Sequence, residues 1–144
     1  MTSGGFLFFA YGEFLDEAKL VALDKRCEVM GLARAEGQRL CFTSAGTANL
    51  KPEPNAATWG VMWLVPANRM LELDRWAAAR GLDRGVVIVV SPAGPKVPST
   101  AYFNRTAAEG SPKENQLQDM ILAAAKLGMS KAYLAELAGW AAKS

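Results

Sequence analysis

The sequence predicts an α+β domain built on a curved, largely antiparallel sheet or a small barrel. Three observations carry this. Short apolar runs at Phe6–Ala10, Ala57–Val65 and Gly85–Val90 hold hydrophobic residues at consecutive positions, as strands covered on both faces do. Turn residues separate most of the strand-like segments at short intervals, which favours antiparallel pairing. From Ser111 onward the apolar period changes to that of helices. About six strands and four helices result, an order typical of α+β domains.

Phe6 to Ala10 is the first strand, and Tyr11-Gly12 breaks it, because glycine tolerates backbone angles that other residues resist. Asp16 is placed to cap a short helix reaching Lys25, with Leu20, Val21 and Leu23 inward. Cys27–Ala35 and Gln38–Thr43 read as a hairpin turning at Glu36-Gly37. Ser44 to Asn55, rich in Ser, Gly, Asn and Pro, reads as a loop. Ala57–Val65 is the central strand, with Trp59, Val61 and Trp63 on one face and Gly60, Met62 and Leu64 on the other. Pro66 opens a helix that runs to Arg80 and stops at Gly81. Gly85–Val90 and Pro98–Asn104 are strands joined by a turn over Ser91–Val97. Ser111-Pro112-Lys113-Glu114 has the form of a capping box ahead of Leu117, Met120, Ile121, Ala124 and Leu127. Gly128 ends that helix, and Ser130 caps a last one carrying Tyr133, Leu134, Leu137, Trp140 and Ala141.

Composition narrows the function. The 144 residues form one expected domain, 1–144, long enough to hide about 68–70% of its unfolded surface. No apolar run approaches the roughly 18 residues of a membrane helix, and the amino terminus lacks the pattern of a signal peptide. Net charge is +2 with no basic stripe, so neither nucleic acid nor membrane is an expected partner. Cys27 and Cys41 read as buried reduced thiols, which points to the cytoplasm. The chain has no histidine. That removes Ser-His-Asp and Cys-His catalysis and the commonest transition-metal ligand, and no cofactor is expected. Chemistry here must use carboxylates, tyrosines, hydroxyls, lysines or the backbone.

The strand-to-helix turn at Tyr11-Gly12-Glu13-Phe14-Leu15 is the candidate site. Such a turn leaves backbone N–H groups able to hold an anion or a carbonyl oxygen, although many buried strands end this way with no ligand.

Several landmarks fall in one order along the chain. A strand ends in Ala10-Tyr11-Gly12 followed by Leu15; Gly31-Leu32-Ala33-Arg34 lies in the next paired segment, before Pro52 and Pro54. Then come Thr58-Trp59-Gly60-Val61-Met62-Trp63-Leu64, a helix with Leu73-Asp74-Arg75, and Ala124-Ala125-Lys126-Leu127-Gly128-Met129 leading to Tyr133. The set resembles the gamma-glutamylcyclotransferase-like (AIG2-like) family over nearly the whole chain. The resemblance implies a small mixed, largely antiparallel β-barrel flanked by helices, with a small-molecule pocket at the mouth beside the Tyr-Gly turn. Family members cyclise a γ-glutamyl amide: the substrate's α-amino group attacks its own γ-carbonyl, giving 5-oxoproline and a freed amine. That reaction needs a general base for the ammonium and donors for the developing oxyanion. The family turn usually reads Tyr-Gly-Ser-Asn-Leu, and its acid/base is the glutamate of Leu-Asp-x-x-Glu-Gly.

This sequence departs at both places. Leu73-Asp74-Arg75-Trp76 leads to Ala77, so alanine holds the position of the catalytic glutamate, and Glu13 stands where serine is usual. A missing general base costs about 10²- to 10⁴-fold in rate. Glu13 is read three ways: a relocated acid/base, a ligand for an amine-bearing substrate, or a solvated turn residue. Tyr11, Gly12, Phe14, Leu15 and Tyr133 complete the expected substrate-binding set, with core packing the competing reading for Tyr133. Tyr102 is a weaker candidate of the same kind. Glu72 and Asp74 read as helix-surface or structural groups, and Asn49 as a loop residue. Two functions stay open: a divergent cyclotransferase-like enzyme acting on a γ-glutamyl or related amide, and a non-catalytic binding or regulatory domain. Association as a homodimer is also left open.

Overall fold

A computed structural model describes residues 5–143. Strand β1 spans Gly5–Ala10 and leads through a 3-10 turn, Gly12–Leu15, into helix α1, Glu17–Leu23. Two long strands follow, β2 at Glu28–Phe42 and β3 at Ala48–Pro66. A 3-10 turn at Ala67–Arg69 opens α2, Met70–Ala78, and β4 (Asp83–Val90) pairs with β5 (Lys96–Phe103). Helices α3, Glu114–Lys126, and α4, Lys131–Gly139, precede a closing 3-10 turn at Trp140–Lys143.

The strands close into a barrel in the order β1-β3-β2-β4-β5. Every seam is antiparallel except β1 with β5, which meet in parallel at Phe8 and Thr100. The mixed, largely antiparallel barrel with flanking helices is therefore as expected. Gly85–Val90, expected to be covered on both faces, is covered on one: Val87 and Val89 are buried, whereas Val86 and Ile88 on the other face are exposed. Phe6–Ala10 lies against Val61–Val65 in register, so the other two strands read from apolar runs are neighbours in one sheet. Their side chains build the core: Phe8, Phe9, Val61 and Val65 are fully buried with Leu15, Leu20, Phe42 and Leu50.

The structure corrects the sequence reading between residues 27 and 66. Glu36-Gly37 is no hairpin turn. Glu36 pairs with Ala57 and Gln38 with Pro52, so β2 runs straight through Gly37 as a bulge, at a φ of 77° that favours glycine. The hydroxyl of Thr58 donates to the Gln38 carbonyl at 2.9 Å and holds the two strands together there. The two expected strands are thus one, and the count is five among the described residues. The real hairpin turn is Thr43–Thr47, closed by the Thr43 N–H on the Thr47 carbonyl at 2.8 Å. Ser44–Asn55 was expected as a loop, yet Ala48–Pro52 is paired strand. Its polar member, Asn49, is buried because it accepts from the Asn104 N–H at 2.8 Å and donates to the Asn104 carbonyl at 2.7 Å. Pro52 is the last paired residue before the excursion opposite Gly37, and Pro54 falls within it, where the regular ladder is interrupted.

The helix-end signals fared better, although Val21, expected inward on α1, is exposed and Leu20 alone is buried there. Asp16 caps α1 by accepting from the Ala18 N–H, and Ser130 caps α4 by accepting from the Tyr133 N–H. Gly81 and Gly128 follow α2 and α3 in left-handed conformations. The Ser111 box did not form: α3 starts at Glu114 with Lys113 at its cap and no side-chain cap bond. The chain just before α3 is engaged instead with the hairpin tip, where the Gly110 N–H donates to the Phe42 carbonyl at 2.8 Å.

Candidate functional site at the barrel mouth

The turn after β1 is shaped by one residue. Gly12 has a φ of 63°, and a Cβ there would lie 2.5 Å from the Cβ of Ala48. Only glycine lets the chain leave the strand and pass the β2–β3 hairpin tip. The Phe14 N–H donates to the Tyr11 carbonyl at 3.2 Å and the Asp16 N–H to the Glu13 carbonyl at 3.4 Å, which delivers the chain to the α1 cap.

Inside the turn, Tyr11 is buried and its hydroxyl donates to the Tyr102 carbonyl on β5. Burial, reinforced by the nearby Cys41, raises the Tyr11 hydroxyl far above the usual phenol range, so it stays a donor. Tyr102 turns its own hydroxyl to Asp74 Oδ1 at 2.7 Å, and Arg84 stands 3.5 Å from Asp74 Oδ2. Burial and the Asp74 carboxylate likewise raise the Tyr102 hydroxyl. Asp74 therefore joins α2 to a tyrosine of the barrel mouth, a tie that helix position did not reveal. Glu72 pairs with Arg69 on the exposed face of α2, as a surface group would.

The mouth is filled by the chain's own aromatic rings. Phe14 meets Phe8 edge-on at 5.3 Å and leans on Trp76 at 4.2 Å. The Arg80 guanidinium covers the outer face of Trp76 at 4.1 Å. The cleft left among Tyr11, Glu13, Phe14, Ala48, Trp76 and Tyr102 has a volume of about 20 Å³. That is room for about one water molecule, against roughly 300–1,000 Å³ for an ordinary ligand site. Sequence reasoning missed Trp76 and Arg80; their i, i+4 spacing in the helix expected to reach Arg80 was the available signal.

Glu13 sits at the rim with a side chain 19% exposed. Its Oε2 lies 3.2 Å from Lys19 Nζ and its Oε1 lies 3.5 Å from Arg80 Nε. Ala77 is fully buried on α2 and does not line the cleft. Tyr133 is placed elsewhere, in α4, its hydroxyl 3.5 Å from the Trp59 carbonyl and its ring on a separate cavity of about 230 Å³. Tyr11, Gly12, Glu13, Phe14 and Leu15 are brought together at the turn; Tyr133 is not with them.

On the outer side of the same turn runs a larger groove. It has a volume of about 750 Å³ and lies between the Gly12–Lys19 segment and the Lys113–Leu127 face of α3. Leu15, Met120 and Leu127 supply apolar lining, while Lys19, Lys113 and Lys126 alternate with Glu13, Glu17 and Asp119. Among the described residues no group of three or more His, Cys, Asp or Glu is arranged to hold a metal ion, and no helix is long and apolar enough to cross a membrane.

A closed five-stranded mixed barrel with this helical arrangement is the fold of the gamma-glutamyl cyclotransferase-like proteins, the family that the sequence resembled. A solved gamma-glutamyl cyclotransferase superposes with a TM-score of 0.83, at 21% identity, over 92% of this chain and 86% of its own. A yeast gamma-glutamyl cyclotransferase specific to glutathione matches with a TM-score of 0.66, at 14% identity, over 98% of this chain and 97% of that one. An AIG2-like protein from Mus musculus matches with a TM-score of 0.58, at 17% identity, over 74% and 81%. No protein-family profile and no curated protein matches the sequence.

Proposed function

We propose that the protein is a divergent, non-catalytic member of the gamma-glutamylcyclotransferase-like group that binds a small amine- or carboxylate-bearing molecule beside the Tyr11–Leu15 turn. The observation that carries this reading is Ala77. By resemblance it holds the acid/base position, and it is fully buried, so no solvent-borne group substitutes for the missing carboxylate there. Glu13, the other candidate base, has one oxygen engaged by Lys19 and the other facing Arg80. The mouth as packed leaves no room for a γ-glutamyl group, whereas the groove along α3 has the volume of a ligand site and both signs of charge for a zwitterion. Two free buried thiols, Cys27 and Cys41, fit a reducing compartment, and we place the protein in the cytoplasm.

The test pairs two measurements on the unaltered chain. Incubation with γ-glutamyl amino acids should release no 5-oxoproline above the blank, while γ-glutamyl amides or small zwitterions should raise the melting temperature. Turnover of the order of 1–10³ per second would overturn the reading and restore a cyclotransferase-type enzyme.

One observation favours a second reading, in which a displaced carboxylate still does chemistry. Asp74 lies one helical turn before Ala77 and is bonded to Tyr102, which lines the mouth. In that case 5-oxoproline release would be measurable and would disappear in Asp74→Asn.

A further inference from the structure

Glu13 has two cationic partners that come from different elements. Lys19 belongs to α1 and Arg80 to the chain just beyond α2, yet they address the two oxygens of one carboxylate, at 3.2 and 3.5 Å. Arg80 is held in place without Glu13. Its guanidinium is stacked on Trp76 at 4.1 Å, and its Nη1 donates to the Trp76 carbonyl at 3.2 Å. A guanidinium fixed by a ring and a carbonyl presents its remaining N–H groups as a ready fork for a carboxylate. Lys19, which lines the groove along α3, reaches the same carboxylate from that side with its side chain 41% exposed.

We propose that Lys19 and Arg80 form a carboxylate-binding site whose resident occupant is the chain's own Glu13, and that a carboxylate carried by a ligand in the groove along α3 takes its place. This deepens the binding function proposed above and rests on it. The geometry supports exchange. Glu13 lines both the closed mouth and the open groove, so its carboxylate stands at the boundary between them. Both cations of the pair are partly solvated, and ion pairs screened by solvent add little to stability, so exchanging one carboxylate for another loses little. The incoming carboxylate would keep both cations paired, and the body of its ligand would lie against Leu15, Met120 and Leu127. Glu13, released, would turn to solvent.

The experiment uses the full chain and acetate as the probe, titrated at constant ionic strength against sodium chloride so that general screening is held fixed. Glu13→Gln empties the site of its charge and keeps the side chain's shape. Its melting temperature should rise by about 4 °C at acetate tenfold above Kd, while the unaltered chain shows a far smaller rise over the same range. Adding Lys19→Met to Glu13→Gln should weaken acetate binding about tenfold. Acetamide, which has the shape without the charge, should give no rise in any variant. Should Glu13→Gln not fold, Glu13→Ala serves in its place with the same expectations. An equal acetate response in the unaltered chain, no response in either Glu13 variant, or a response indifferent to Lys19→Met would overturn the inference. Release of 5-oxoproline by the unaltered chain would instead overturn the non-catalytic function and leave the acetate result standing.

Discussion

Replacing Phe14 with alanine tests whether the barrel mouth is a plugged core or an idle pocket. Phe14 is 7% exposed, meets Phe8 edge-on at 5.3 Å and packs on Trp76 at 4.2 Å. The cleft beside it holds only about 20 Å³, so the ring has almost no slack around it. Removing the ring vacates roughly 100 Å³, which at about 24 cal/mol per Å³ adds about 2.4 kcal/mol to a transfer loss of about 2 kcal/mol. We expect Phe14→Ala to cost about 4 kcal/mol. In urea, with a slope of about 2 kcal/mol per molar, the midpoint should fall by about 2 M at unchanged slope. The new space is apolar, so benzene should bind there and recover part of the loss in the variant while leaving the native chain unmoved. A cost below about 1 kcal/mol, with no benzene effect, would refute the argument. It would mean that Phe14 leaves the mouth readily and that the pocket is open to ligands.

Three further outcomes follow from the same geometry. Ala77→Glu puts a carboxylate at a fully buried position; it should cost about 3 kcal/mol or more in urea unfolding and should not by itself yield 5-oxoproline. Gly12→Ala forces a side chain into a left-handed φ of 63° and within 2.5 Å of the Ala48 Cβ, so a loss of about 2 kcal/mol or more is expected in thermal unfolding. Asp24 accepts from Arg26 and Arg69, which holds its carboxyl well below the usual range. A depressed native pKa stabilises above the unfolded value of about 3.9 and is lost as pH falls through the native one. Asp24→Asn should therefore be less stable than the native chain at pH 7, and the gap in urea midpoints should begin to narrow only below about pH 4 and keep narrowing as pH falls toward the native value.

Much of the architecture was legible in the residues themselves. Consecutive apolar positions at Phe6–Ala10 and Ala57–Val65 mean strands covered on both sides wherever they end up, because each face must leave water. Asp16, Ser130, Gly81 and Gly128 marked helix ends through local chemistry, since a cap or a left-handed stop is decided within a few residues. The Ser111 box failed for the converse reason: its segment is drawn to the hairpin tip, a contact that no local pattern encodes. The same holds for Ala48–Pro52, whose loop-like composition became strand because Leu50 is buried and Asn49 finds its partners on Asn104, 55 residues on. At the candidate site, the turn was readable from the sequence, while alanine at residue 77 in place of a carboxylate is what the resemblance implies. That Phe14 and Trp76 close the mouth, that Asp74 reaches Tyr102, and that Lys19 and Arg80 converge on Glu13 were decided only by the tertiary fold. These pairs join residues far apart in the chain, and only barrel closure fixes the distances on which packing and charge pairing depend.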